Sequence, residues 1–137
     1  MANEFNQQII EEFRANEGRV GGMFEGAPLV LLTTTGAKSG KPTTSPMMYL
    51  ADGDRYVVIA SNAGQDHHPA WYHNLRATPR ATAELGKETF EVNAVILEGA
   101  ERDELYARMA EKWPGFAEYE TKTSRRIPVV ALYRTAA

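Results

Sequence analysis

Cysteine is absent from the 137 residues. Disulfide frameworks, thiolate metal centres and cysteine nucleophiles are therefore excluded. Long apolar runs are missing as well. The longest, Ala27 to Leu32, is far short of the roughly 18 residues of a membrane-spanning helix. The opening Met1-Ala2-Asn3-Glu4-Phe5 lacks both the basic and the apolar segment of a secretory signal, so the expected location is the cytoplasm. There is no surplus of base: 15 Lys and Arg face 18 Asp and Glu, a net charge of -3. Nucleic-acid binders usually carry a basic surface, so no nucleic-acid partner is expected. No Gly-x-Gly-x-x-Gly turn and no Gly-x-Ser-x-Gly elbow occur, which removes support for a dinucleotide Rossmann site or a serine hydrolase. Repeats and low-complexity linkers are also lacking. The length predicts one domain spanning 1–137.

One absence is local and informative. Gly26 to Ala51 contains no acidic residue, an event with a chance of about one in forty for this composition. The same stretch holds Lys38 and Lys41 with the hydroxyls of Thr33, Thr34, Thr35, Ser39, Thr43, Thr44 and Ser45. Hydroxyls, lysines and glycine-flanked backbone N–H groups suit an anionic ligand. Threonine also favours strands, so a hairpin explains the same residues. The segment is not a P-loop. Only three residues separate Gly36 from Gly40, Lys41 is followed by Pro42, and a strand follows where a helix is required.

His68 has no histidine four residues on, where Tyr72 stands, and His67 and His73 are six apart and face different sides of a helix. No metal is expected.

Periodicity predicts three helices and about six strands. Phe5, Ile9, Ile10 and Phe13 make an amphipathic helix over about 3–16. Its acidic polar face favours packing on the body; reversible contact with a membrane surface is the minor alternative. Strands are expected over Pro28–Thr35, Thr43–Ala51, Arg55–Ser61, Arg80–Leu85, Glu88–Leu97 and Ile127–Arg134. Pro46 marks an edge or bulge in the second. Asn62–Asp66 reads as a polar loop. Helices are expected over His67–Ala77 and Glu101–Trp113. Strands that follow one another through short turns disfavour a parallel sheet and fit a small antiparallel barrel with helices packed around it. Trp71 and Tyr72 lie together in the middle helix, and either core packing or a ring-flanking role accounts for them. Trp113, Phe116 and Tyr119, around Pro114-Gly115, form a candidate wall for an apolar ligand; taken alone, the three are better explained as a core-capping cluster. An exposed barrel edge could pair two chains, but nothing in the sequence sets the oligomeric state.

The ordered segments Leu32–Pro42, Pro46–Leu50, Asp52–Ser61, Pro69–Leu75 with Ala77-Thr78-Pro79, Trp113–Tyr119 and Arg126–Val129 together resemble the deazaflavin (coenzyme F420)-dependent nitroreductase and quinone reductase family. The resemblance spans Pro28 to Val130. It implies a split β-barrel fold of the FMN-binding, pyridoxamine-phosphate-oxidase-like kind. It implies a reduced deazaflavin passing hydride to an electron-poor quinone, nitroaromatic, or activated enone or lactone.

Carried over residue by residue, Ala37, Lys38 and Ser39 meet the cofactor phosphate. Thr43, Thr44, Ser45, Pro46, Met47 and Met48 run beside the cofactor, with Pro46 and Met47 nearest the ring. Ile59, Ala60, Ser61 and Asn62 border the ring edge, and Ala70, Trp71, Tyr72, His73 and Asn74 close the other side. The acceptor is expected against Met48, Trp113, Phe116 and Tyr119, with Ser61 or Tyr119 donating to its oxygen. Two departures stand out: the family commonly has a basic residue at Ala37 and often an arginine at Thr43. They keep open a flavin mononucleotide (FMN) split-barrel reductase, and the aromatic wall alone would serve a non-catalytic deazaflavin or apolar-ligand carrier. Some members also have tyrosine where Trp113 and Phe116 stand, leaving Tyr119 as the hydroxyl of the wall.

Overall fold

The structure is a computed structural model and describes residues 4–21, 28–61 and 67–135. Asn62 and the rest of the expected 62–66 loop lie outside the described residues. Helix α1 covers Glu4–Ala15. Strands β1 (Leu29–Thr35), β2 (Pro42–Met48), β3 (Leu50–Asp52) and β4 (Arg55–Ile59) follow, then helix α2 (Ala70–Ala77). Strands β5 (Arg80–Leu85) and β6 (Glu88–Leu97) form a hairpin, followed by α3 (Gly99–Lys112), α4 (Gly115–Lys122) and β7 (Val129–Arg134).

The seven strands form one antiparallel sheet in the order β2-β1-β5-β6-β7-β4-β3. It curls until β2, at one edge, approaches β4 near the other. The single strand expected over Thr43–Ala51 is two strands. Residues 42–48 pair with β1 and residues 50–52 pair with β4, so the chain crosses the opening of the curl at Tyr49. Tyr49 N donates to the Pro28 carbonyl at 3.1 Å and fixes the crossing. Pro42 and Pro46 sit on edge strand β2, where a missing N–H breaks no ladder on the free side.

Alternation along the strands sorts the core into three clusters. Val30, Leu32, Val58, Ala60, Ala81, Ala83, Phe90, Val92, Val130 and Leu132 line the concave face, where Trp71, Tyr72 and Leu75 of α2 plug it. On the outer face, Ile9, Ile10 and Phe13 of α1 cover Leu29 and Leu31. Leu105, Tyr106 and Met109 of α3, with Phe116 of α4, cover Val57, Ile59, Val129 and Ala131. Helix α4 was not expected. Pro114, at its N-cap, has a φ of -57° that suits helix entry, and eight residues are too few to show a clear helical period. Helix α2 starts at Ala70 rather than His67, with Pro69 as N-cap.

Candidate active site

Strand β2 carries six of the expected site residues, Thr43 to Met48. Its register against β1 pairs Thr43 with Thr34, Ser45 with Leu32 and Met47 with Val30, which puts these side chains on the concave face. Thr44, Pro46 and Met48 point the other way. Pro46 and Met47, expected together at the ring, therefore face opposite sides of the sheet, as adjacent residues of a strand must. The site set divides accordingly. Met47, Ala60, Trp71 and Tyr72 belong to the concave cluster. Met48, Ile59, Trp113, Phe116 and Tyr119 belong to the outer one. Met48 also packs on the α1 cluster. The free edge of β2 is the line from which both sides are reached.

The β1–β2 turn carries Ala37, Lys38 and Ser39, all exposed. It is tightly built: Gly36 N and Gly40 N bond Lys41 O and Gly36 O at 2.8 and 2.9 Å, and Ser39 Oγ accepts from Lys41 N at 3.2 Å. A Cβ on Gly36 would meet Ser39 Oγ and lie 3.2 Å from the Lys41 carbonyl, so any larger residue there must displace the Ser39 hydroxyl from its bond to Lys41 N. Helix α2 holds this turn through one side chain. Asn74 Oδ1 accepts from Ala37 N at 2.9 Å, and Asn74 Nδ2 donates to Thr34 Oγ1 at 3.0 Å. Both ends of the Asn74 amide are thus committed within the chain. The neighbours expected beside it differ in exposure: Trp71 and Tyr72 are buried, while Ala70 and His73 are exposed.

Sorting the hydroxyls by commitment narrows the chemistry. Thr33 and Thr44 bond each other at 2.7 Å on the outer face, and Thr34 accepts from Asn74. The Tyr106 hydroxyl donates to the Phe116 carbonyl and pins the first turn of α4; burial pushes its pKa up to about 12, with a smaller push from the Glu120 charge. Ser61, Thr43, Ser45 and Tyr119 bond through their hydroxyls to nothing among the described residues. Tyr119 is half-buried and sets its ring edge-on to Phe116, with centroids 5.6 Å apart. Lys38 and Lys41 have no ion-pair partner among the described residues, although ten such pairs occur elsewhere.

Two residues that shape the region, Tyr106 and Arg125, were not singled out from the sequence, and a third, His68, was weighed there only as a metal ligand. Tyr106 reads there as an ordinary helix position. Arg125 Nη2 donates to the Ala60 and Ser61 carbonyls at 3.2 and 2.7 Å, and its Nη1 stands 2.9 Å from His68 Nδ1. His68 is half-buried, and burial first, then the Arg125 charge, holds its pKa below the usual imidazole value. Among the described residues, no group of three or more His, Asp or Glu side chains is arranged to hold a metal ion. None of the described helices is long and apolar enough to cross a membrane.

The model of the F420H(2)-dependent quinone reductase family matches residues 6–134. The F420H(2)-dependent quinone reductase of Mycobacterium tuberculosis strain H37Rv is 39% identical over 131 residues, covering 89% of this chain and 85% of that protein. A solved structure described as an F420-H2 dependent reductase (FDR-A) is 42% identical, with a TM-score of 0.70 over 77% of this chain and 93% of the other. A Listeria innocua structure described as a pyridoxamine 5'-phosphate oxidase shares the split-barrel fold at 12% identity, with a TM-score of 0.56 over 97% and 95% of the two chains. A family match running nearly end to end, on a curled sheet of the same kind, leads to one conclusion: this chain belongs to the F420H(2)-dependent quinone reductase family, whose members are oxidoreductases that use reduced coenzyme F420.

Proposed function

We propose that β2 and its turn hold the coenzyme and that the α3–α4 wall receives a quinone-like, planar, apolar acceptor. One observation carries this reading: the uncommitted groups coincide with the expected site. Lys38 and Lys41, exposed at the tip of an acid-free segment and unpaired among the described residues, match the anionic phosphate and glutamyl tail of a deazaflavin. Thr43 and Ser45 add free hydroxyls on the concave side of the same strand. The two basic positions common in the family and missing here, at Ala37 and Thr43, leave these lysines as the cations of the segment.

When bound, the reduced coenzyme supplies a hydride. The rest falls to the chain. Met48, Trp113 and Tyr119 pack on one buried cluster and offer an apolar face that keeps water from the reacting pair. Reduction of a quinone by hydride leaves negative charge on its oxygen, which then needs a proton. Tyr119 in the wall and Ser61 just past the end of β4 are hydroxyls uncommitted among the described residues. Their role is to donate a hydrogen bond where this charge develops, an effect larger in the transition state than in the ground state. The proton comes from that hydroxyl or from water through it.

The test is a fluorescence titration with oxidised F420, with FMN in parallel, on wild type and on Lys38→Ala and Lys41→Ala. The expected result is F420 binding without FMN binding. Each lysine variant should weaken binding several-fold, and more at low ionic strength, where exposed charges are less screened. Unaltered binding in both variants refutes the placement of the anionic end. FMN binding in place of F420 keeps the fold and replaces the chemistry.

A further inference from the structure

Arg125 lies in the linker between α4 and β7, outside every segment expected to form the site. Its guanidinium nevertheless touches one of them and a residue that borders another. Nη2 donates to the main-chain carbonyls of Ala60 and Ser61, where β4 ends. Nη1 reaches the ring of His68, just before α2, at 2.9 Å. The linker is itself shaped to present it. Arg125 N donates to Thr123 Oγ1 at 3.2 Å, and three residues later the Pro128 carbonyl accepts from Ala60 N at 2.9 Å. One side chain therefore connects the end of β4, the entry to α2 and the exit of the wall helix α4.

We propose that Arg125 is a positioning residue of the active site: it sets Ser61 against the wall helix, through a bond that requires His68 to be neutral. The proposal rests on the site reading above. Its chemical core is simple. A guanidinium has no acceptor atom and does not lose its proton in proteins. The contact at His68 Nδ1 is therefore a hydrogen bond only if Nδ1 carries a lone pair, so the imidazole is neutral with its proton on Nε2. Protonation of His68 turns that bond into a contact between two cations and withdraws one support of the clamp.

The surroundings favour the neutral form. From α2, the Tyr72 and His73 rings face His68 with centroids at 4.7 and 5.7 Å, and Arg76 adds charge from the next turn. Arg125 and Arg126 come from the linker and Arg102 from α3. Glu98 is the acidic residue among the described residues lining the adjoining crevice. Asp103 pairs with Arg102 and Arg126 at 3.1 and 2.8 Å, and Glu120 stands 3.6 Å from Arg102, so the charges left to act on His68 are those of Arg125, His73 and Arg76; they add to its burial, which comes first in lowering its pKa. The clamp is then complete at neutral pH and weakens as pH falls below the ordinary imidazole range.

The experiment compares wild type with Arg125→Met, Arg125→Lys and His68→Gln, reading oxidised F420 affinity from about pH 5 to 8, where an imidazole titrates. Nitrogen NMR of His68 and the Ser61 amide signal in the ligand-free protein give readings independent of the coenzyme. The expected results are a neutral Nε2–H tautomer at neutral pH, at least tenfold weaker binding in Arg125→Met, and partial recovery in Arg125→Lys. Wild-type affinity falls on acidification, and His68→Gln, which keeps an acceptor but does not titrate here, flattens that fall. An Nδ1–H tautomer or an imidazolium at neutral pH overturns the proposal. So does wild-type affinity in Arg125→Met, or an unchanged acid limb in His68→Gln. Failure of wild type itself to bind F420 refutes the site reading instead, and the tautomer and the Ser61 shift in Arg125→Met then judge the clamp alone. If Arg125→Met does not fold, the tautomer and His68→Gln decide.

Discussion

Asn74→Ala separates an anchoring residue from a ligand-binding one. The residue is 6% exposed, and its amide bonds Ala37 N and Thr34 Oγ1. Ala37 is exposed, so water replaces its lost acceptor at little cost. Thr34 is 1% exposed, and its hydroxyl loses a donor with no water to replace it. A buried group left unsatisfied costs about 1–3 kcal/mol, and the lost neutral bond to the turn adds about 0.5–1. The expected destabilisation is therefore roughly 2–3 kcal/mol, or a fall in Tm of roughly 6–12 °C for a domain of this size. Urea unfolding followed by tryptophan fluorescence measures it. Thr34→Val in a double-mutant cycle should recover about 1 kcal/mol of coupling, because the two residues share a bond. A loss below about 0.5 kcal/mol would refute the reasoning, since surface substitutions commonly fall in that range. Weakened F420 binding at unchanged stability would instead return Asn74 to direct contact with the coenzyme.

Other outcomes follow from the same geometry. Gly18 has a φ of +98°, and a Cβ there would lie 2.8 Å from Gly86 Cα, where the end of α1 docks on the β5–β6 hairpin. Gly18→Ala should cost about 1–3 kcal/mol from overpacking in addition to its backbone strain. Gly53→Ala, with a φ of +63° but open space around it, should cost only the roughly 1–2 kcal/mol of the left-handed conformation; equal losses in chemical denaturation would contradict the close approach. Tyr106→Phe should cost about 1–2 kcal/mol by freeing the Phe116 carbonyl, and should raise the KM for a quinone more than it alters F420 affinity. Hydrogen bonds from Arg108 and then Arg55 hold the Asp52 carboxyl below its usual pKa. A lowered folded-state pKa means that this contribution is complete above about pH 4 and disappears as pH falls towards the lowered value. The stability-against-pH curve of Asp52→Asn should lack that part of the acid limb.

Much of the architecture is legible from local pattern. The apolar, β-branched run of Leu29–Thr35, the alternation in Glu88–Leu97, the Gly53-Asp54 and Gly86-Lys87 turns, and the apolar face of α1 are each encoded within a dozen residues. What escapes is the consequence of curvature. Nothing in Pro42-Thr43-Thr44-Ser45-Pro46-Met47-Met48-Tyr49-Leu50 says that one run must serve two edges of a sheet; that follows from the closing of the curl. Helix α4 escapes because its eight residues follow a Pro-Gly pair that ordinarily signals a turn.

The site divides in the same way. An acid-free stretch with two lysines is visible in the chain, and its chemical meaning survives folding because both lysines stay exposed and have no ion-pair partner among the described residues. The order of the family segments was sufficient to indicate the coenzyme and the reaction class. The committed groups were not visible. Asn74 lies 37 residues from Ala37 and 40 from Thr34, and Arg125 lies 64 from Ser61. Contacts over such separations leave no local period, because they depend on where two elements land after packing. The sequence by itself determined which groups were available for anion and hydride chemistry. Only the tertiary structure decided which of them are bound up in holding the fold, since a hydrogen bond consumes a donor wherever its acceptor comes from.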